Sequence, residues 1–390
     1  MLGAFLLTDI GLLAAAAFGL TWLLIRGLLP FASQLGLLDH PIGRKDHAVP
    51  TPLVGGVAMA LGVMIPVWLM MADSIKPLPA FTIAATILIV VGMLDDRYDI
   101  RWYWRIGAQT CAALVMVYVG DVHVEQIGPL FGRGPMALGA LSVPFTVFAT
   151  VGVINAVNMA DGIDGLAGAL VASALLMIGC AAMYSGNYAM LPLLSAVFAA
   201  VVAFLVFNLR RPGLPRASTF MGNAGSALLG LCIAWFCFRL TQNTGHPVSP
   251  VLAPFLILFP VLDCLVLIVR RLHMGRSPFS ADRGHLHHRM LDAGFTHGQL
   301  VCTLLAMSLL VGGAAALVLK WDLPHPWFVA AFFALFVLHY WVTARPARSM
   351  AFFGALHGRL FAGVGTGAGT PKAVAANQTD VLATENESPT

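Results

Sequence analysis

The sequence predicts an all-α fold, a polytopic membrane helical bundle of about eleven transmembrane helices. Three observations carry this. Of the 390 residues, 59% are hydrophobic and only 10% are charged, where soluble domains run at about 45–50% and about 25%. The mean hydropathy is +0.84. The apolar residues also come in runs of roughly 20, the length that crosses a bilayer as a helix. An ordinary soluble enzyme, a disordered chain and a disulfide scaffold are excluded. The net charge of +4 is spread over many loops, so no concentrated basic face points to nucleic acid.

In chain order the predicted spans are residues 5–29, 52–71, 78–94, 104–120, 138–157, 163–183, 188–207, 221–240, 250–269, 299–319 and 324–343. No Lys or Arg precedes Arg26, so the first run lacks the basic start of a signal peptide and reads as a retained span. Pro66, Pro144, Pro192, Pro254 and Pro260 lie within spans, where neighbouring helices can satisfy the freed backbone groups. The six cysteines fall in apolar stretches without a CxxC or zinc spacing and read as small packing residues. Residues 1–345 form the transmembrane domain. Residues 346–390 read as a cytoplasmic C-terminal tail, mostly disordered, because its end is polar, Gly/Thr/Ala-rich and aperiodic.

Lys and Arg set the orientation. With the N-terminus outside, 18 of the 22 fall inside, and only Lys76, Arg133, Arg239 and Lys320 stay outside. The same orientation gathers the unusual polar clusters on the cytoplasmic side, where charges at a membrane edge suggest function. Asp95 and Asp96 follow an apolar run directly, and two adjacent carboxylates repel unless a cation joins them. Asn155, Asn158, Asp161 and Asp164 recur every three residues, which on a helix makes one polar stripe. Gly162 and Gly165 allow close approach there. In FMGNAGS, Gly222 and Gly225 flank Asn223, Ser226 could cap the next helix, and a glycine-flanked helix N-terminus suits an anion.

The loop after the ninth span concentrates Arg276, Arg283, Arg289 and the run His285, His287, His288. Arginine forks suit phosphate, so this loop reads as a phosphate or nucleotide contact. Lys45 and His47 precede the PTPLVGG entry to the second span. Asp263 is the candidate for a genuinely deep charge and reads equally as a polar link between helices.

The ordered set PTPLVGG, LDDRYDI, NAVNMADGIDGL, FMGNAGS and SPFSADRGHLHHRM resembles the polyprenyl-phosphate N-acetylhexosamine-1-phosphate transferases, a glycosyltransferase 4 family. The resemblance spans roughly residues 35–300. Within the family, INAVNMADGIDGL and SPFSADR look like the branch that transfers N-acetylglucosamine 1-phosphate more than the peptidoglycan branch.

The resemblance implies transfer of N-acetylhexosamine 1-phosphate, from a UDP-sugar to undecaprenyl phosphate, releasing UMP. It implies a site facing the cytoplasm of a bacterial inner membrane, at the start of lipid-linked polysaccharide synthesis, O-antigen or a related cell-envelope glycan. It implies Mg²⁺ or Mn²⁺ as cofactor. The partners expected are the UDP-sugar, undecaprenyl phosphate, the bilayer and, as a homodimer, a second copy of the chain. Asp95, Asp96 and Asp161 take catalytic roles by this resemblance. Asn158, Asp161 and Asn223 take the metal. Lys45, Asn155, Asp164, Arg276, Arg283, His285, His287 and His288 take substrate. One departure stands out: the family usually has Asp where this chain has Asn223. An amide oxygen can bind Mg²⁺ but brings no charge. The alternatives are the same reaction with another UDP-N-acetyl sugar, a catalytically impaired homologue, and an anion transporter, which would show midplane charges and repeats.

Overall fold

A computed structural model describes residues 2–39, 50–72, 75–130, 134–245, 248–278, 284–321 and 323–362, with side chains from Thr8 onward. The helices are α1 (Leu2–Leu28), α2 (Gly55–Met71), α3 (Leu78–Tyr98), α4 (Trp102–Tyr118), α5 (Ser142–Ala160), α6 (Leu166–Ser185) and α7 (Leu191–Asn208). They continue with α8 (Gly222–Thr241), α9 (Ala253–Leu256), α10 (Leu258–His273), α11 (Leu286–Asp292), α12 (His297–Lys320), α13 (His325–Thr343) and α14 (Pro346–Phe361). Two short strands, β1 (Leu38–Asp39) and β2 (Thr51–Pro52), pair antiparallel between α1 and α2.

Ten of the eleven predicted spans each overlap one long helix, and the ninth, 250–269, falls on α9 and α10. Among the described residues, eight helices are long and apolar enough to cross a membrane. They become nine when Pro250–Leu256 and Leu258–His273, bent by 85° at their junction, count as one span. Eleven crossings therefore require α2 and α4, each of 17 residues, to cross as well. Of the prolines, only Pro66 sits inside a helix, while Pro144, Pro192, Pro254 and Pro260 fall in first turns, where no intrahelical donor is lost.

The bundle is built around α8. Its apolar window is 94% buried, against 17% for α13 at the rim. Small residues make this possible. A Cβ added at Gly56 would overlap the backbone of Gly225, and one added at Gly92 would overlap Ala224, so α2 and α3 touch α8 backbone to backbone. Such contact is how helices associate where lipid offers no hydrophobic drive. Gly230 meets Ile154 of α5 in the same way. Phe81 packs edge-on against Trp235 at 5.2 Å, filling the far side of the same core.

A second, smaller core lies beneath the histidine segment. Leu286, Met290, Phe295, Leu300 and Phe353 pack there with Ile163, Leu166 and Leu170. Phe353 comes from α14, which the sequence reading assigns to the tail. The packed chain thus extends through Phe361, because α14 buries Ser349 and Phe353 and joins His357 to Gln299 at 3.2 Å. The tail from residue 363 lies outside the described residues.

Candidate active site

The ends of α3, α5 and α10 meet the beginnings of α2, α6, α8 and α11. This end of the bundle gathers most of the polar residues singled out above.

The segment before α8 is anchored first. Phe220 donates its N–H to the Pro52 carbonyl at 2.8 Å, and Gly55 donates to the Phe220 carbonyl at 3.1 Å. The Thr219 hydroxyl donates to Pro52 at 2.9 Å and accepts from Val54 at 3.3 Å. Asn208 adds a hub: its amide oxygen accepts from Gly165 N–H at 2.7 Å and its amide nitrogen donates to the Thr219 carbonyl at 2.9 Å. PTPLVGG and the α8 entry are therefore one structural unit, although they lie far apart in the chain.

Asp96 then caps α8. Its carboxylate accepts from the backbone N–H of Asn223 at 2.8 Å and of Ala224 at 3.4 Å. Gly222 takes φ +68° beneath it, and a Cβ there would overlap the Asp96 carboxylate. The sequence reading offers Ser226 as the cap. The structure corrects this: Ser226 is already within the helix and donates to the Gly222 carbonyl at 3.1 Å. The helix N-terminus does hold an anion, and that anion is Asp96.

Asp95 points elsewhere, because consecutive residues on a helix diverge. It is buried, with Oδ2 3.3 Å from Arg105 Nη1 and with Oδ1 lacking a hydrogen-bond partner. It opens on a cleft of about 30 Å³ whose polar lining is Asp95, Arg105, Gln109, Asn155, Asn158 and Asn223. The tandem carboxylates thus serve two places rather than one.

The predicted polar stripe also divides. Helix α5 stops at Ala160, and the chain reverses through Gly162 and Gly165, the latter at φ +82°, so the spacing of three stops describing one face. Asn155 donates to Gln109 at 2.7 Å. Asn158 donates to Asn223 Oδ1 and to Ser226 Oγ, both at 2.9 Å, so two residues expected on the metal are bonded to each other. Asp164 Oδ2 accepts from Arg210 Nε at 2.6 Å and from Ala217 N–H at 3.1 Å, which makes it a strut for the turn after α7. The Asp161 backbone N–H donates to the Asn158 carbonyl at 3.2 Å, but its carboxylate has no hydrogen-bond partner among the described residues. Burial pushes its carboxyl well above the usual carboxylate range, and the nearby charges of Asp96 and Asp164 push it further.

The histidines form the facing wall. His285 and His287 stack with centroids 5.1 Å apart, and His288 lies 4.4 Å from His287. The His287 ring rests on Gly162, where a Cβ would come within 2.5 Å of Nε2. Burial, then the neighbouring His285 and His288, lower the His287 pKa to about 3, so it is a neutral imidazole near pH 7. Arg276 is exposed on the loop after α10. Lys45 and Arg283 lie outside the described residues.

Sequence reasoning missed Arg105, Gln109, Asn208, Arg210, Thr219 and His339. Arg105 and Arg210 look like ordinary orienting charges in the sequence. His339 did carry a signal, being a lone polar group in the apolar run FALFVLHYW.

A helical membrane bundle with a carboxylate-rich polar end has the architecture of a membrane-embedded enzyme acting where lipid meets water. The family model for glycosyl transferase family 4 matches residues 78–241, which contain α3 through α8. An undecaprenyl-phosphate alpha-N-acetylglucosaminyl 1-phosphate transferase of Escherichia coli O157:H7 is 34% identical over 323 residues, covering 83% of this chain and 87% of its own. The proteins of the same name from Yersinia pestis and Haemophilus influenzae are each 35% identical over 327 residues, covering 82% of this chain and 88% and 92% of theirs. This chain belongs to glycosyl transferase family 4 and is a multi-pass membrane transferase.

Proposed function

We propose that the chain transfers N-acetylglucosamine 1-phosphate from UDP-N-acetylglucosamine to undecaprenyl phosphate, releasing UMP, at the cytoplasmic face of a bacterial inner membrane. The product would be the lipid-linked sugar on which a cell-envelope glycan is started. The substrates follow the names of the relatives and the motif resemblance. The orientation follows the excess of Lys and Arg on the side of the site.

The observation that carries the reading is the convergence of Asp96, Asp161 and Asp164 at one end of the bundle, with the Asp161 carboxylate lacking a hydrogen-bond partner among the described residues. Attack of a phosphate on a diphosphate brings anions together, and carboxylates alone would oppose it. A hard divalent cation resolves this, and Mg²⁺ or Mn²⁺ prefers oxygen donors of this kind. The donors fit: an unpartnered Asp161 carboxylate, and an Asn223 amide oxygen with a lone pair left after its bond from Asn158. Asp161 and Asn223 would hold the ion, while Asn158 orients Asn223. When bound, the ion would neutralise charge on the diphosphate.

The chain's own groups do the rest. Asp96 fixes the α8 N-terminus and so the position of Asn223. Asp95, beside Arg105 in the wall of the cleft, is the carboxylate placed to take a proton from the incoming lipid phosphate. Asn155 shapes that cleft with Gln109. The histidine wall and Arg276 lie on the nucleotide-sugar side. A soluble nucleotide and a lipid-bound isoprenoid can meet only at such a membrane edge.

The test is UMP release by the purified full-length chain with undecaprenyl phosphate, Mg²⁺ and a panel of UDP-N-acetyl sugars. Release dependent on both lipid and metal, fastest with UDP-N-acetylglucosamine, is expected. Another preferred sugar changes the substrate assignment, and absence of release with every sugar removes the reading.

A further inference from the structure

Helix α10 carries a carboxylate that the scheme above leaves unused. Asp263 is 7% exposed, beneath the histidine wall. Its Oδ1 accepts from the Leu286 backbone N–H at 2.9 Å and meets His339 Nε2 at 3.3 Å; its Oδ2 meets His285 Nδ1 at 3.0 Å. Three helices, α10, α11 and α13, thus converge on one carboxylate.

An ionised carboxylate can only accept hydrogen bonds. Three donors are what a buried carboxylate needs to remain charged. His285 therefore carries its proton on Nδ1, and its Nε2 keeps a free lone pair. The His285 ring stacks on His287 at an interplanar angle of 17°, and His287 rests on Gly162, next to Asp161. A continuous contact runs from Asp263 to the turn that bears Asp161.

We propose that Asp263 is a positioning residue for the transfer reaction. It locks His285 in the Nδ1–H tautomer and pins the start of α11, so that His285 Nε2 offers a hydrogen-bond acceptor to an N–H or O–H group of the nucleotide sugar. His339 holds the carboxylate in line from α13. This rests on the transferase reading given above. Hydrogen bonding of one ring nitrogen sets the state of the other, and an inverted tautomer removes the acceptor without moving the ring.

Asp263→Asn separates orientation from packing. The amide has the same shape but one acceptor and one donor group. With Oδ1 still accepting from Leu286, the NH₂ meets His285 Nδ1 and forces the proton to Nε2. The backbone anchor survives while the tautomer inverts.

The experiment uses the full-length chain in lipid nanodiscs as wild type, Asp263→Asn, His285→Ala and the double variant. UMP release is read together with nitrogen NMR of ¹⁵N-labelled histidine. We expect Asp263→Asn to lower kcat/KM at least about tenfold, toward the scale of acid–base and hydrogen-bonding groups. The double variant should be no slower than His285→Ala alone, because residues acting as a unit are non-additive. His285 should carry its proton on Nδ1 in the wild type and on Nε2 in Asp263→Asn. Wild-type turnover in Asp263→Asn, losses that add in the double variant, or an Nε2 proton in the wild type would each overturn the proposal. Should Asp263→Asn fail to fold, His339→Phe supplies the second arm: its loss should vanish in the His285→Ala background, and persistence there counts against the proposal. If the wild type releases no UMP, the transferase reading falls by itself, and the nitrogen shifts still decide whether Asp263 sets the tautomer.

Discussion

The two walls of the site solve opposite electrostatic problems. On the α3–α5–α8 side, the charges of Asp96 and Asp164 bear on Asp161, whose carboxylate has no hydrogen-bond partner among the described residues. On the α10–α11 side, one carboxylate, Asp263, meets three partners and leaves a wall of imidazoles above it. On the proposed function, the first wall is the one that a cation would complete. The second is internally satisfied and keeps its shape alone. The comparison teaches that strain and order are divided: the binding charge is stored in the carboxylates, and the shape is stored in the hydrogen-bonded histidine wall.

The sharpest way to break the comparison is to neutralise the carboxylate wall. Asp161→Asn and Asp96→Asn should each slow UMP release at least about a hundredfold, the scale of a lost catalytic electrostatic group. Their stabilities should move in opposite directions. Asp161→Asn removes a carboxyl whose ionised form its surroundings disfavour and should raise Tm by about 2 °C without divalent cation. Asp96→Asn weakens the cap on α8 and should lower stability by about 1 kcal/mol. Thermal melts beside the turnover assay check both, and a fall in Tm for Asp161→Asn would mean its charge is already balanced.

A smaller effect is expected at Asn223. Asn223→Asp should lower the Mg²⁺ concentration for half-maximal rate by about tenfold, since a carboxylate adds Coulomb attraction that an amide lacks. Asn223→Ala should raise that concentration or abolish turnover. Titration of Mg²⁺ against initial rate decides it, and superimposable curves would take Asn223 off the metal.

The smallest effect tests the histidine wall. The His287 pKa is about 3 in the folded chain, below the usual value of about 6.5. Between those values the unfolded chain binds a proton that the folded chain does not, so stability is lost as pH falls through this window. The slope is at most about 1.4 kcal/mol per pH unit. His287→Gln should flatten the loss of Tm between pH 6 and pH 4, measured against the wild type. An unchanged slope would show that His287 is solvated and titrates normally.

Much of this was legible in the sequence. Hydropathy alone located the long apolar helices, though not α11 or α14, and the Lys and Arg distribution placed the polar clusters on one side. Asp95, Asp96, Asn158, Asp161 and Asn223 were all visible as residues. Their division of labour was not. Periodicity continues a helix through Asp164, but Gly162 and Gly165 end it, so Asn155, Asn158 and Asp164 bond to three different places and the Asp161 carboxylate to none among the described residues. Adjacency suggests that Asp95 and Asp96 work as a pair, but one faces α4 and the other caps α8. The partners of Asp164 and Asp263, Arg210 and His339, lie 46 and 76 residues away in the chain, and no local pattern announces such pairings.

The backbone-to-backbone seams at Gly56–Gly225 and Gly92–Ala224 have a consequence for how the enzyme breathes. Packed cores shift between discrete arrangements rather than deforming continuously, and these seams leave α8 no slack to tilt or slide against α2 and α3. Substrate traffic must then be accommodated on the opposite flank, where α10 and α11 are held through side chains. The molecule is a vice with one fixed jaw. Amide hydrogens of residues 224–230 should exchange most slowly of any at this end of the bundle, and those of residues 286–292 should report the arrival of the nucleotide.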